Sequence, residues 1–158
     1  MTLTPLELTP WPEVDAALRI LMAAIAGGVI GFERGHAHKP AGFRTNSLVC
    51  VGSALLTILS IHAFASDVTD TSRVAAGIAI GIGFLGAGTI IRTKFSISGL
   101  TTAATIWVIA AIGMAFGAGF YIIATVTWVI ALVILLLPAF IHLSADEDKR
   151  EVKHDGSE

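Results

Sequence analysis

Long apolar runs alternate with short polar segments along this chain, and the runs predict its secondary structure. Each run approaches the ~20 apolar residues that a helix needs to cross ~30 Å of hydrocarbon. After Lys94 the sequence has no Asp, Glu, Lys or Arg until Asp146, which leaves room for two such helices. The pattern predicts an all-α membrane protein, a bundle of about five transmembrane helices. The predicted helices cover residues of about 14–32, 44–65, 72–91, 100–118 and 120–143.

The two ends of the chain differ from this predicted five-helix domain of residues 14–143. Residues 1–13 are rich in proline and threonine and contain Trp11, so they are interpreted as an interfacial lead-in. They contain no Lys or Arg, which argues against a secretory signal and favours a retained first helix. Residues 144–158 are predicted to form a charged cytoplasmic tail.

Basic residues are distributed unequally between the predicted loops, and this inequality predicts the orientation. The loops at 33–44 and 92–98 together with the tail hold eight Lys and Arg residues, whereas the opposite side holds only Arg73. Cytoplasmic loops of membrane proteins carry an excess of Lys and Arg. We therefore expect the N-terminus outside and the C-terminus in the cytoplasm, which requires an odd number of spans.

Composition agrees with a lipid-facing surface and argues against several classes of function. Hydrophobic residues make up 54% of the chain, charged residues 14%, and mean hydropathy is +0.80. The net charge of −2 and the lack of a basic block argue against nucleic-acid binding. Residues 81–86 match the pattern G-x-G-x-x-G, but they lie within a predicted membrane helix and do not indicate a dinucleotide site. No catalytic constellation is apparent, so we expect no enzyme activity and no cofactor.

Small residues spaced four apart predict the faces on which the helices pack. Apolar burial gives little driving force between helices in lipid, so close backbone approach matters more. Small residues are concentrated in the third predicted helix, which predicts that this helix is central in the bundle. Its glycines either only permit tight packing or make the helix flexible or pore-lining. The fifth helix, a run of Ile, Val, Leu and Trp, is expected to face lipid. The predicted packing glycines are Gly27, Gly31, Gly77, Gly81, Gly83, Gly86, Gly88, Gly113 and Gly117.

The polar segment between the first two predicted helices is the strongest candidate for a functional site. Glu33 and Arg44 flank this segment, and an ion pair between them would stabilise the helical hairpin. The alternative is a cytoplasmic docking or ion-entry site, because ionisable groups near the membrane are functional candidates. Arg19 lies inside the first helix, where it either snorkels outward or pairs with Asp15 one turn earlier.

Metal binding is only weakly indicated. Asp67 and Asp70 carry the carboxylates that Mg²⁺ prefers, but capping of the third helix is the favoured role for Asp70. His36 and His38 have no further ligands near them in the sequence, whereas a transition-metal site needs three or four converging ligands. The sequence therefore predicts no firm metal site.

Several motifs, taken in order along the chain, resemble those of the MgtC/SapB family of bacterial inner-membrane proteins. The matching segments lie at 31–34, 41–49, 72–76, 81–88 and 99–107. The resemblance implies a multi-pass protein of the bacterial inner (plasma) membrane, here in a short form without the C-terminal ACT-like domain of many members. The functional-motif candidates that it marks are Glu33, Arg34, Arg44, Thr45, Asn46, Arg73, Arg92, Thr101 and Thr102.

The resemblance also implies a function linked to magnesium homeostasis, stress adaptation and virulence. On this basis the protein would act by binding and modulating other membrane proteins. The alternative is a transporter or channel for Mg²⁺ or another small solute, and a homo-oligomer would allow a pore lined by backbone carbonyls. The expected partners are the lipid bilayer and other membrane proteins.

Overall fold

The computed structural model describes residues 12–63 and 70–137. The predicted tail at 144–158, nearly all of the predicted lead-in at 1–13 and the candidate Asp67 lie outside the described residues. The predicted ends of the second and fifth helices, at 65 and 143, lie outside them as well.

Within the described residues the chain forms five helices and one short β-hairpin, which confirms a helical bundle of about five helices. Three helices, α1 (Pro12–His36), α2 (Phe43–His62) and α4 (Leu100–Gly117), are long and apolar enough to cross a bilayer. Helices α3 (Ser72–Ala87) and α5 (Tyr121–Leu137) are shorter apolar helices. In the hairpin, β1 (Ile91–Arg92) pairs antiparallel with β2 (Ile97–Ser98).

Helix α1 continues one turn beyond its predicted end at residue 32 and stops at a capping motif. His38 adopts the left-handed conformation, with φ of 53°. The Lys39 backbone N–H donates to the Arg34 carbonyl at 3.0 Å, and the His38 N–H donates to the Gly35 carbonyl at 3.1 Å. These two bonds form a Schellman motif, which satisfies carbonyls that a helix end otherwise leaves open.

Helix α3 ends at Ala87 and not at the predicted residue 91, because the following residues turn into the hairpin. The Thr89 hydroxyl donates to the Gly86 carbonyl at 2.8 Å, a local bond that competes with continuation of the helix. The chain returns to α4 through Gly99, whose φ is 87°. A Cβ at this position would collide with the Thr89 carbonyl oxygen, so only glycine fits there.

The core of the bundle is the contact of α1, α2 and α4 around Cys50, which is fully buried. A Cβ at Gly27 of α1 would lie 2.6 Å from the Asn46 carbonyl oxygen and 2.8 Å from the Cys50 Cβ. A Cβ at Gly113 of α4 would collide with the carbonyl oxygen of Cys50. Both neighbours of α2 therefore approach its backbone as closely as glycine allows.

A second pair of glycines extends the same contacts along α2. A Cβ at Gly31 would lie 2.7 Å from the Cα of Phe43, at the start of α2. A Cβ at Gly117 would lie 2.5 Å from the Ala54 carbonyl oxygen, one turn beyond Cys50. Gly31 and Gly117 thus sit against the backbone of α2.

Helix α3 lies at the edge of the bundle, so the expectation that it is central is wrong. Gly86 faces Ala103 of α4 at ordinary contact distance, 3.6 Å, and Gly88 lies past the end of the helix against its own last turn. The other three predicted packing glycines of this helix have open space where a Cβ would stand. The physical reason is that α2 and α4 already pack against each other. Helix α3 therefore packs on the outside of this pair, mainly against α4. Those open glycines are Gly77, Gly81 and Gly83.

Helix α5 packs against α1 through one side and exposes the other. The Trp128 indole N–H donates to the Ala26 carbonyl of α1 at 3.0 Å, and Tyr121 and Ala124 are buried. Most of its remaining large apolar side chains are exposed, with Ile122 the most open at 70%. In water such a surface would drive association, whereas lipid solvates it.

Candidate functional site

The carboxylate of Glu33 pairs with its neighbour Arg34, so the expected Glu33–Arg44 ion pair is wrong. The Arg34 Nε and terminal nitrogen lie 2.6 and 2.8 Å from the two carboxylate oxygens of Glu33. This bidentate arrangement is the strongest form of such a pair, and Arg34 is buried. Arg44, in the first turn of α2, is exposed and leaves Glu33 to the nearer guanidinium.

Asn46 holds the turn between α1 and α2. It is fully buried, and its side-chain nitrogen donates to the carbonyls of Ala41 and Gly42 at 2.5 and 3.0 Å. Ala41 has a positive φ of 59°, a conformation that costs energy for a residue other than glycine. The amide therefore stabilises a strained turn, while the adjacent Thr45 is exposed.

A buried charge pair lies at the opposite end of the bundle. Asp15 and Arg19 are 5% and 4% exposed, and their charged atoms are 2.5 Å apart. Arg19 also donates to the Gly117 carbonyl at 3.0 Å, and the Tyr121 hydroxyl donates to Asp15 at 3.4 Å. Of the two alternatives for Arg19, pairing with Asp15 is the one observed, and the pair ties α1 to the α4–α5 turn.

The other motif candidates divide between the two ends of the bundle. Thr102 is buried at the start of α4, whereas Arg92 is exposed in β1. Arg73 is exposed in the first turn of α3, at the other end of the bundle. Thr101 is exposed and, with Thr127, lines an apolar groove of about 270 Å³ mainly between α4 and α5. Eight of the nine candidates thus lie near the α1–α2 turn and the hairpin, and Arg73 lies apart.

The described acidic residues do not form a metal site. The Asp70 carboxylate accepts the Ser72 backbone N–H at 2.9 Å, which places it as a cap of α3. Hydrogen bonds from Ser72, together with the charge of Arg73, hold the pKa of Asp70 below its ordinary value. Within residues 12–63 and 70–137, no three His, Cys, Asp or Glu side chains come together as metal ligands would.

A groove lies between α2 and α3. Its volume is about 410 Å³, and its walls are apolar with almost no polar surface. Gly77 and Gly81 of α3 contribute to one wall, and Gly52 of α2 to the other. The groove residues are Val49, Gly52, Ser53, Leu56, Val74, Gly77, Ile78, Gly81 and Ile82.

Sequence reasoning missed Tyr121, Ser60 and the structured hairpin. Tyr121 completes the buried charge cluster, and the Ser60 hydroxyl donates to the Thr71 carbonyl at 2.9 Å, which joins the ends of α2 and α3. The sequence signal for the charge cluster that Tyr121 completes was a lone arginine, Arg19, four residues after Asp15 within an apolar run. No signal in the sequence pointed to Ser60.

These features define a polytopic membrane protein, a helical bundle with apolar outer faces and polar clusters at its two ends. A model of the MgtC family matches residues 20–143, so the chain belongs to the MgtC family, which confirms the resemblance. No solved structure matches it.

Curated relatives from three bacterial groups resemble this chain. YhiD of Escherichia coli (strain K12), whose name proposes that it is a magnesium transporter, is 46% identical over 124 residues, covering 75% of this chain and 58% of YhiD. Protein MgtC of Brucella abortus (strain 2308) is 45% identical over 129 residues, covering 80% and 53%. Protein SrpB of Synechococcus elongatus is 45% identical over 118 residues, covering 66% and 64%. The chain thus spans between half and two thirds of the length of these relatives.

Proposed function

We propose that this chain is a non-enzymatic protein of the bacterial inner membrane, linked to Mg²⁺ limitation, that binds and modulates other membrane proteins. The observation that carries the proposal is the open groove between α2 and α3. Gly77 and Gly81 form a G-x-x-x-G pattern on its wall, and a Cβ at either position would meet nothing. In lipid, such small-residue faces allow another helix to approach closely.

The positions of the acidic residues support a binding role over ion conduction. Within the described residues, the acidic side chains are those of Glu13, Asp15, Glu33 and Asp70, and each lies at an end of a helix. Ion paths through helical membrane proteins are usually marked by ionisable side chains in the helix interiors. The helix interiors described here carry no Asp or Glu, and the charge of Arg19, two turns into α1, is paired with Asp15.

The link to magnesium rests on the relatives. The family name and the name of YhiD both connect this type of membrane domain with Mg²⁺. The name of YhiD also favours a second candidate function, a transporter or channel, in which this domain itself would conduct Mg²⁺.

Crosslinking in cells tests the binding proposal. A photoreactive amino acid replaces Ile80 on α3 or, as a matched control, Ile130 on α5; both side chains are largely exposed. We expect the α3 position to give discrete adducts with larger membrane proteins and the α5 position to give none. Gly81→Leu, which fills the groove, is expected to abolish these adducts without lowering the unfolding temperature. Adducts formed only with the chain itself would contradict the proposal.

Flux measurement separates the two candidates. The purified protein is placed in vesicles loaded with a Mg²⁺-sensitive dye, with Arg44→Ala as the variant of the exposed basic residue at the α1–α2 turn. We expect no Mg²⁺ flux from folded, correctly inserted protein. Flux that disappears in Arg44→Ala while folding is retained would replace the proposal with the transporter function.

A further inference from the structure

The β1–β2 hairpin is a defined structural element that the proposed function does not use. Residues 91–98 are all exposed, yet the turn is closed by its own hydrogen bonds. The Thr93 N–H donates to the Ser96 carbonyl at 2.9 Å, and the Ser96 N–H donates to the Thr93 hydroxyl at 3.1 Å. The hairpin is therefore held in shape without support from the helices.

The hairpin connects two apolar helices, which places it at a bilayer surface. It lies between the end of α3 at Ala87 and the start of α4 at Leu100. A two-stranded ribbon has unpaired edges, which the hydrocarbon region does not tolerate. The hairpin must therefore lie in the headgroup layer or above it. Phe95 at its tip is 94% exposed, the most exposed large apolar side chain in the described part of the chain.

The charge around the hairpin is positive and uncompensated among the described residues. Arg92 and Lys94 make no ion pair there, nor do Lys39 and Arg44 in the neighbouring turn. Glu33 is the one described acidic residue at this end, and both of its oxygens are occupied by Arg34. The opposite end, by contrast, carries more acidic than basic side chains in the described chain.

We propose that the hairpin is an anchor for anionic phospholipids: Arg92 and Lys94 bind lipid phosphates while Phe95 inserts beneath the headgroups. The charge complementarity selects this partner, because basic residues at a membrane surface are attracted to anionic lipids and an adjacent aromatic ring enters the interface. Two such cations strengthen the contact of the hairpin with an anionic bilayer by about thirtyfold over a neutral one. The anchor sets the depth of the α3–α4 corner, and with it the depth of the α2–α3 groove.

A fluorescent label at the tip tests the anchor in the full chain. Phe95→Cys is labelled with an environment-sensitive aromatic dye, which takes the place of the phenyl ring at the tip. The buried Cys50 does not compete for the label. The protein is placed in phosphatidylcholine vesicles with or without phosphatidylglycerol. We expect phosphatidylglycerol to shift the dye emission to the blue and to reduce quenching by aqueous acrylamide at least severalfold. The same label at Thr71, exposed at the other end of α3, is expected to show no such change.

Two double variants with equal loss of charge decide whether the hairpin itself is responsible. Arg92→Gln with Lys94→Gln is expected to abolish the phosphatidylglycerol effect, whereas Lys39→Gln with Arg44→Gln retains most of it. All four side chains are exposed, and the unfolding temperature of each variant verifies that it is folded. A label equally open to acrylamide in both lipid mixtures overturns the proposal. An equal loss of the effect in both double variants overturns it too, because general surface charge would then explain the effect.

Discussion

At the scale of single residues, the space beside each glycine decides its contribution to stability. Gly113 sits against the backbone of α2, where a Cβ would collide with the carbonyl oxygen of Cys50. Gly77 has the same spacing pattern in the sequence but faces open space. The two glycines are alike in sequence and opposite in structure.

We predict that Gly113→Ala lowers the free energy of unfolding by about 1–3 kcal/mol or more, because two backbones must separate. Gly77→Ala serves as the matched control and is expected to be neutral or slightly stabilising, since alanine favours a helix by up to about 1 kcal/mol over glycine. Thermal unfolding of the two variants in detergent measures the difference. Equal effects would mean that the bundle does not pack at Gly113 as described.

The Asp15–Arg19 pair makes a second prediction at this scale. Arg19→Gln leaves the negative charge of Asp15 in a buried site without the guanidinium beside it, so we expect a loss of about 3–5 kcal/mol. The double variant Asp15→Asn with Arg19→Gln removes both charges and is expected to recover part of that loss. Arg73→Gln, at an exposed position, is the control and is expected to change stability little. If the double variant were no more stable than Arg19→Gln, the pair would not be the cause.

At the scale of elements, the α1–α2 hairpin depends on the capping of its turn. The His38 Schellman motif ends α1, and Asn46 reaches back from α2 to two carbonyls of the connecting turn. Between these points Ala41 adopts a positive φ. The turn therefore relies on side-chain hydrogen bonds to hold a conformation that its own residues do not favour.

Asn46→Leu is expected to loosen this turn, because the Ala41 carbonyl loses its side-chain donor, at up to about 1–3 kcal/mol for a group left unsatisfied, whereas the Gly42 carbonyl keeps the backbone N–H of residue 46. We expect faster amide hydrogen exchange in residues 37–42 and lower stability. Thr45→Ala, next in sequence but exposed, provides the control and is expected to leave exchange unchanged. Unchanged exchange in Asn46→Leu would show that the turn is held by other contacts.

The hairpin between α3 and α4 is an element that periodicity did not reveal. The sequence pattern continued helix 3 to residue 91 because Ile90 and Ile91 are apolar. The helix ends earlier, at Gly88 and the hydrogen bond of the Thr89 hydroxyl. The strands that follow are Ile91–Arg92 and Ile97–Ser98. Strands of two residues are too short for an alternating pattern to identify.

At the scale of the whole molecule, charge is distributed unequally between the two ends of the bundle. The end with the α1–α2 turn and the hairpin carries the exposed residues Lys39, Arg44, Arg92 and Lys94. The excess of basic residues predicts that this end faces the cytoplasm. From this charge distribution we predict that the N-terminus lies outside and the C-terminus in the cytoplasm.

Fusion reporters test this orientation. We expect a fluorescent protein fused at the C-terminus to be bright and alkaline phosphatase at the same place to be inactive, because the C-terminus stays in the cytoplasm. Moving four positive charges to the opposite loops is expected to reduce this preference, since basic residues bias insertion. Active phosphatase at the C-terminus of the unaltered chain would reverse the predicted orientation.

Sequence by itself determined the class of this protein and the number of its helices. Apolar length and the spacing of charges are properties of the chain in one dimension, and the cost of burying backbone in lipid translates them directly into helices. The order of the motifs along the chain also indicated the family. Helix ends were less accurate, because local hydrogen bonds such as that of Thr89 decide them.

Only the tertiary structure decided which small residues touch and which charges pair. A glycine spacing of four occurs in α1, α3 and α4, yet close backbone contact forms only in α1 and α4, because α2 lies between them. Glu33 pairs with Arg34 and not with Arg44, because the first turn of α2 turns Arg44 outward. These contacts and ion pairs depend on which helix faces pack against each other in three dimensions. The spacing of residues along the chain does not specify that packing.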